Sequence, residues 1–154
     1  MTSKNINLIP VLILVFALST PLIGYSQCKG FAKRKCLPEL KPFIHNGQLN
    51  STTLMEGESA ELIMTFHAKQ QYRVIVCGQE SLDNVSFIMM DMDREVLCDS
   101  DDEGSSNNWD FNVNATQQMI ILVSVPKPKK HSNANLTGTL VQSGCIALLV
   151  GFKD

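Results

Sequence analysis

The chain has no glycine-rich phosphate loop, no His-x-x-x-His, no Cys-x-x-Cys and no Gly-x-Ser-x-Gly. The enzyme classes that announce themselves by those spacings are not indicated. It has only three histidines. His45 stands in a turn, His67 at the end of an alternating run and His131 in a basic loop. Nucleophilic catalysis needs a nucleophile, a base and an orienting group, and none of the three stands in such a frame. Cys98 with one of them is the remaining combination; its plainer reading is a half-buried thiol in a short strand. Aromatic residues are scarce, with one Trp and two Tyr. Trp109 and Tyr72 fall on inward positions of their runs, so they read as core and not as sugar-stacking platforms. Charge of either sign is also modest, 13 Lys and Arg against 15 Asp and Glu, a net of -2. That balance implies no nucleic acid or other polyanion as partner. No internal repeat is visible.

What is present begins with a leader. Lys4 gives a short positive region, and Leu8 to Leu18 is apolar apart from Pro10. Ser19-Thr20-Pro21 ends that run before it reaches the ~20 residues of a membrane span. Gly24-Tyr25-Ser26 supplies small residues at the cleavage positions, so residues 1–26 read as a secretory signal peptide cut after Ser26. Once it is removed, no transmembrane segment is expected, and the protein is expected to be secreted, periplasmic or at the cell surface. A lipidated Cys28 is disfavoured because Gln27 sits where a small residue is needed. The remainder, residues 27–154, is the size of one domain with a single core.

All five cysteines, Cys28, Cys36, Cys77, Cys98 and Cys145, follow the leader. Export favours disulfides, and an odd count leaves one thiol over. The pairing expected is Cys28 with Cys36 and Cys77 with Cys145, leaving Cys98 unpaired. The first pair carries a condition. A continuous helix over 28–36 would hold its ends about 12 Å apart, beyond bridging distance, so the chain must turn near Gly30.

Residues 27–48 read as an N-terminal strap, of which 28–43 do not alternate. Phe31–Cys36 fits one or two helical turns stopped by Pro38. Leu37, Leu40 and Phe43 are spaced to line an apolar surface, giving a strap across a sheet. Lys33-Arg34-Lys35 is its solvated face. Residues 49–154 then read as strands. Ala60, Leu62, Met64 and Phe66 alternate with Ser59, Glu61 and Thr65, and Tyr72, Val74 and Val76 repeat the pattern after a short polar break. These two runs predict a β-hairpin with one buried face. Val85–Met92, Trp109–Val113, Met119–Val125 and Cys145–Phe152 follow, with a shorter strand at Glu95–Cys98 and a weak one at Thr137–Gln142. Val85–Met92 is apolar on both faces, so its outer face is expected to lie under the strap. The order predicts an all-β fold: a two-sheet antiparallel β-sandwich, jelly-roll-like, with a short irregular or helical N-terminal segment packed on one sheet. Leu62, Val74, Phe87 and Phe111 are expected to meet in one interior.

Leu54-Met-Glu-Gly-Glu, Ala60-Glu-Leu, Gln71-Tyr-Arg-Val, Val85-Ser-Phe-Ile-Met-Met-Asp-Met-Asp, Trp109-Asp-Phe-Asn-Val and Gly144-Cys-Ile-Ala-Leu-Leu-Val follow one another in this order. Over about residues 50–153 this series resembles the bacterial pre-peptidase C-terminal domain. The resemblance implies a small jelly-roll-like sandwich of the kind appended to secreted enzymes. This sequence carries no enzyme beside it and adds a cysteine-containing N-terminal segment, so an accessory role within one chain is not expected.

The sharpest candidate for chemistry is Asp99-Ser-Asp101-Asp-Glu103-Gly104, followed by Asp110. Counting from Asp99, oxygen ligands fall at positions 1, 3, 5 and 12 with Gly at 6, which is the spacing of a Ca²⁺ loop. Asp99, Asp101, Glu103 and Asp110 are the candidate ligands. Strands in place of helices on the flanks, and Asp in place of Glu at the last position, favour a solvated loop instead. Asp91 and Asp93 point to one face of a strand and could act as a glycosidase pair, or serve simply as turn residues. Lys127-Pro-Lys-Lys-His131 reads as a solvated connection. Asn50, Asn84, Asn114 and Asn135 open glycosylation sequons. The functional expectation is an exported, non-catalytic interaction or structural module with a protein or glycan partner and no cofactor. A Ca²⁺-dependent binding module is the first alternative and a small secreted hydrolase the second.

Overall fold

The computed structural model describes residues 24–82, 84–102, 106–127 and 141–153. The leader up to residue 23, Glu103, the loop over 128–131, Asn135 and most of the expected strand over 137–142 lie outside them. Among the described residues nine strands form two antiparallel sheets. The first sheet holds β1 (Ile44–His45), β2 (Asn50–Met55), β4 (Gln70–Gly78), β7 (Asn108–Val113) and β9 (Ser143–Lys153). β9 pairs with β4 on one side and with β1 and β2 on the other, and β7 closes the far edge. The second sheet runs β3 (Ser59–Phe66), β8 (Gln117–Ser124), β5 (Ser86–Met90), β6 (Val96–Asp99). The chain is an all-β two-sheet sandwich.

The two inner faces bury one another. Val74, Phe87 and Phe111 lie in this core with Leu62 packed against them, and Phe66, Met89, Ile121, Leu148 and Val150 fill it further. Phe66 sits edge-on to Tyr72 and Phe111, with ring centroids 5.0 and 5.2 Å away. That is the favoured arrangement of aromatic quadrupoles.

The expected hairpin is not one. β3 and β4 belong to different sheets, so the chain arches across the sandwich at residues 67–69. Lys69 takes the left-handed conformation there, at φ 64°. Two alternating runs can hide their apolar faces side by side on a common core, or face to face across it. The pattern is the same in both cases; here the second arrangement prevails.

The N-terminal segment packs on the outer face of the first sheet. Helix α1 (Gly24–Phe31) runs into a π-helical turn, Ala32–Cys36, and a 3₁₀ turn, Leu37–Leu40. Cys28, Ala32, Cys36 and Leu40 recur every fourth residue, and all four are buried. Ala32, Cys36 and Leu40 meet Ile75, Cys77, Ala147 and Leu149 in a second apolar cluster. This explains why β9 is apolar throughout: Ile146, Leu148 and Val150 face the main core, Ala147 and Leu149 the strap. The strap therefore covers β4 and β9, not the Val85–Met92 strand as expected. β5 keeps its outer face on the opposite side of the molecule. There the Arg94 side chain reaches across β8 to Glu61 of β3, at 3.2 Å.

The strap is fastened by charge as well. Arg73 on β4 forms a two-point ion pair with Asp110 on β7, at 2.6 and 2.7 Å. Its third nitrogen donates to the Lys41 carbonyl, and its guanidinium lies over the Phe43 ring. The hydrogen bond to Asp110 pushes the Arg73 pKa up against the cost of partial burial.

The disulfide joins Cys28 to Cys145, with Cα atoms 5.2 Å apart. The expected Cys28–Cys36 bond is thereby overturned, and the Cys77–Cys145 bond with it. The chain stays helical through Gly30 instead of turning. Cys28 and Cys36 then stand about 12 Å apart along the strap, and each faces the sheet below.

Candidate functional site

Several residues singled out from sequence prove to be local structure. Asp91 Oδ1 accepts the backbone N–H groups of Asp93 and Glu95, closing the β5–β6 turn in which Arg94 has φ 66°. Asp99 Oδ1 accepts the N–H of Asp101. Asp110 projects from the other sheet and is held by Arg73, so the fold does not join it to Asp99 and Asp101. Among the described residues no three of His, Cys, Asp and Glu stand together as metal ligands. His45 Nε2 bonds the Gln48 carbonyl, and the His67 backbone N–H donates to the Tyr72 hydroxyl, which donates in turn to Gln70 Oε1. Tyr72 is buried and Trp109 packs half-buried against the core, stacked on Phe111. Cys98 is buried in the inter-sheet core. Cys36, on the inner face of the strap, meets Cys77 of β4. The Cys77 thiol hydrogen-bonds Cys36, which together with burial pushes its pKa up.

The feature that sequence reading missed is a seam between the sheets. β2 and β3 follow one another through the turn at Glu56-Gly57, where Gly57 has φ 87°. β2 pairs with β9 and β3 with β8, so the chain changes sheet at this turn. Among the described residues both strands are edges, and the gap between them opens the core to the surface. The inward residues of β3 record this. Ala60, Leu62 and Met64 are only half-buried, whereas Met119, Ile121 and Val123, the inward residues of the neighbouring β8, are at most 4% exposed.

Two clefts follow the seam. One of about 330 Å³ lies between Leu49–Thr52 and Ala60–Leu62, floored by Ile121, Val123, Ile146 and Leu148. The other, about 580 Å³, lies between Asn46 and Gln48 on one side and Leu62–His67 on the other, reaching Tyr72 and Phe152. Leu62 borders both, so they lie end to end along β3. Within the first cleft, Asn50 Nδ2 is buried and has no hydrogen-bond partner among the described residues. A buried polar atom left unpaired costs about 1–3 kcal/mol, so it is a place where an incoming group is favoured.

A sequence signal for this edge existed. β8 and β9 read as nearly continuous apolar runs, as central strands do, while β3 alternates, with Ser59, Glu61 and Thr65 outward and only Ile63 apolar on that side. What the alternation could not show is that its inward side stays partly open.

No protein-family model matches the chain, and no curated protein matches it. Among solved structures, it is similar to the crystal structure of Aeromonas hydrophila PliG, described as a periplasmic lysozyme inhibitor of g-type lysozyme. The identity is 13% and the TM-score 0.48, with 73% of this chain and 90% of that chain covered.

Proposed function

We propose that the protein is an exported, non-catalytic interaction module that takes up an extended segment of a protein partner along β3. The carrying observation is the state of that strand. Among the described residues its ladder partners all lie on one side, on β8, while its inward side chains line two open clefts. An edge strand with unpaired N–H and C=O groups is a template for one more strand. A segment added there gains main-chain hydrogen bonds, and its alternate side chains enter the groove. Ala60, Leu62 and Met64 favour apolar residues at every second position of the segment. Asn50 Nδ2 favours a carbonyl acceptor beside them.

Export is supported by the disulfide, since such bonds persist in oxidising compartments and point to a secreted or periplasmic protein. The non-catalytic reading is supported by the commitment of Asp91, Asp99 and Asp110 to turns and an ion pair.

The test uses a random library of short peptides selected on the oxidised protein. The expected binders alternate apolar and polar residues. They slow amide exchange at the alternate positions of Ser59–Phe66 that face away from β8, and Leu62→Arg weakens them at least tenfold. Binders that leave β3 exchange unchanged and tolerate Leu62→Arg would remove the proposal.

A further inference from the structure

The interface between strap and sheet holds four of the five cysteines. Two come from the strap, Cys28 and Cys36, and two from the sheet, Cys77 on β4 and Cys145 on β9. The helical rise separates the strap pair by about 12 Å. The sheet pair is separated by register: Cys77 lies opposite Ala147, two residues along β9 from Cys145. Such diagonal neighbours sit roughly 7–8 Å apart, on the wrong side of disulfide geometry. Each strap cysteine therefore faces one sheet cysteine. Cys28 already bonds Cys145. Cys36 is fully buried and in hydrogen-bond contact with the Cys77 thiol, in the same apolar cluster.

We infer that Cys36 and Cys77 form a second disulfide, so that the strap is fastened to β4 as well as to β9. The inference rests on export, which brings the chain to an oxidant. Two thiols become one disulfide by losing two protons and two electrons. The acceptor is a disulfide oxidant of the thiol–disulfide oxidoreductase class, which leaves as a dithiol. One cysteine thiolate attacks the oxidant's disulfide, giving a mixed disulfide; the second thiolate then displaces the oxidant's sulfur. Of the two, Cys77 lies nearer the surface. It borders a surface cleft of about 280 Å³ lined also by Lys35, Glu39 and Glu80, whereas Cys36, on the inner face of the strap, is fully buried. The hydrogen bond to Cys36, burial and, least, the neighbouring Glu39 disfavour the Cys77 thiolate in the closed structure. The bond therefore forms as the strap docks, and once formed it is shielded from reductants.

The experiment is a peptide map of the exported protein, alkylated under denaturing, non-reducing conditions and cut with trypsin. Lysines and arginines separate all five cysteines; Lys35 precedes Cys36, and Arg73 and Arg94 bracket Cys77. The expected product is the Cys36 peptide linked to the Cys77 peptide, alongside Cys28 linked to Cys145, with Cys98 alkylated. Alkylated Cys36 and Cys77 beside an intact Cys28–Cys145 bond would overturn the second disulfide and leave export standing. Cys36 or Cys77 joined to any other cysteine would overturn it too. Five alkylated cysteines would overturn both it and the oxidising compartment. The map is read on the wild-type chain, so no variant needs to fold.

Discussion

At the scale of single residues, the aromatic group around Phe66 decides how the sandwich closes. Phe66 ends β3, Tyr72 begins the body of β4 and Phe111 lies on β7, so their contact joins the two sheets just beyond the arch. Phe66 is 1% exposed, and its removal leaves a cavity that the surrounding strands are too constrained to fill. Phe66→Ala is expected to cost about 3–5 kcal/mol. The check is urea denaturation, where the midpoint falls and the slope is unchanged if the native state stays compact. The inward position of Phe66 was legible from alternation. Its ring partners were not, because alternation assigns a face without saying which strand lies opposite.

At the scale of elements, the strap and β9 are matched surfaces. Gly151 lies on the strap side of β9, where a Cβ would come within 2.8 Å of Phe43 Cβ and 2.9 Å of Leu40 Cγ. The absence of a side chain is what lets the 3₁₀ turn sit down on the sheet. Gly151→Ala is expected to destabilise by about 1–3 kcal/mol through overpacking. Its mark is faster amide exchange in Leu37–Phe43 than in β4 or β8, since the strap yields before the sandwich does. That a strap exists was readable from the non-alternating spacing of Leu37, Leu40 and Phe43. Its placement over β9 was not, because Val85–Met92 offers an equally apolar outer face. What distinguishes them is the close approach that Gly151 allows on β9 and the Arg73 contacts that hold Lys41 and Phe43.

At the scale of the whole molecule, the disulfide joins the start of the strap to the last strand. Cys28 and Cys145 are 117 residues apart, so the bond closes nearly the entire domain into one loop. In the chain-entropy view a loop of that length stabilises by roughly 4–5 kcal/mol. The Cys28→Ala, Cys145→Ala double variant is expected to lose about 3–5 kcal/mol, read as a lower melting temperature. A loss well under about 1 kcal/mol would show that the denatured chain is already constrained by other means. Several conclusions needed no coordinates. Strand length and alternation fixed the all-β class, the list of inward residues, and the presence of an N-terminal strap carrying two cysteines. Those are local properties, set by which side chains can face water along each few residues. The tertiary structure alone decided that β3 and β4 face each other across the core, that Cys28 meets Cys145, and that, among the described residues, the seam beside β3 stays open. Each of these depends on which distant segment becomes a neighbour, and alternating hydrophobicity is blind to that choice because competing partners satisfy it equally.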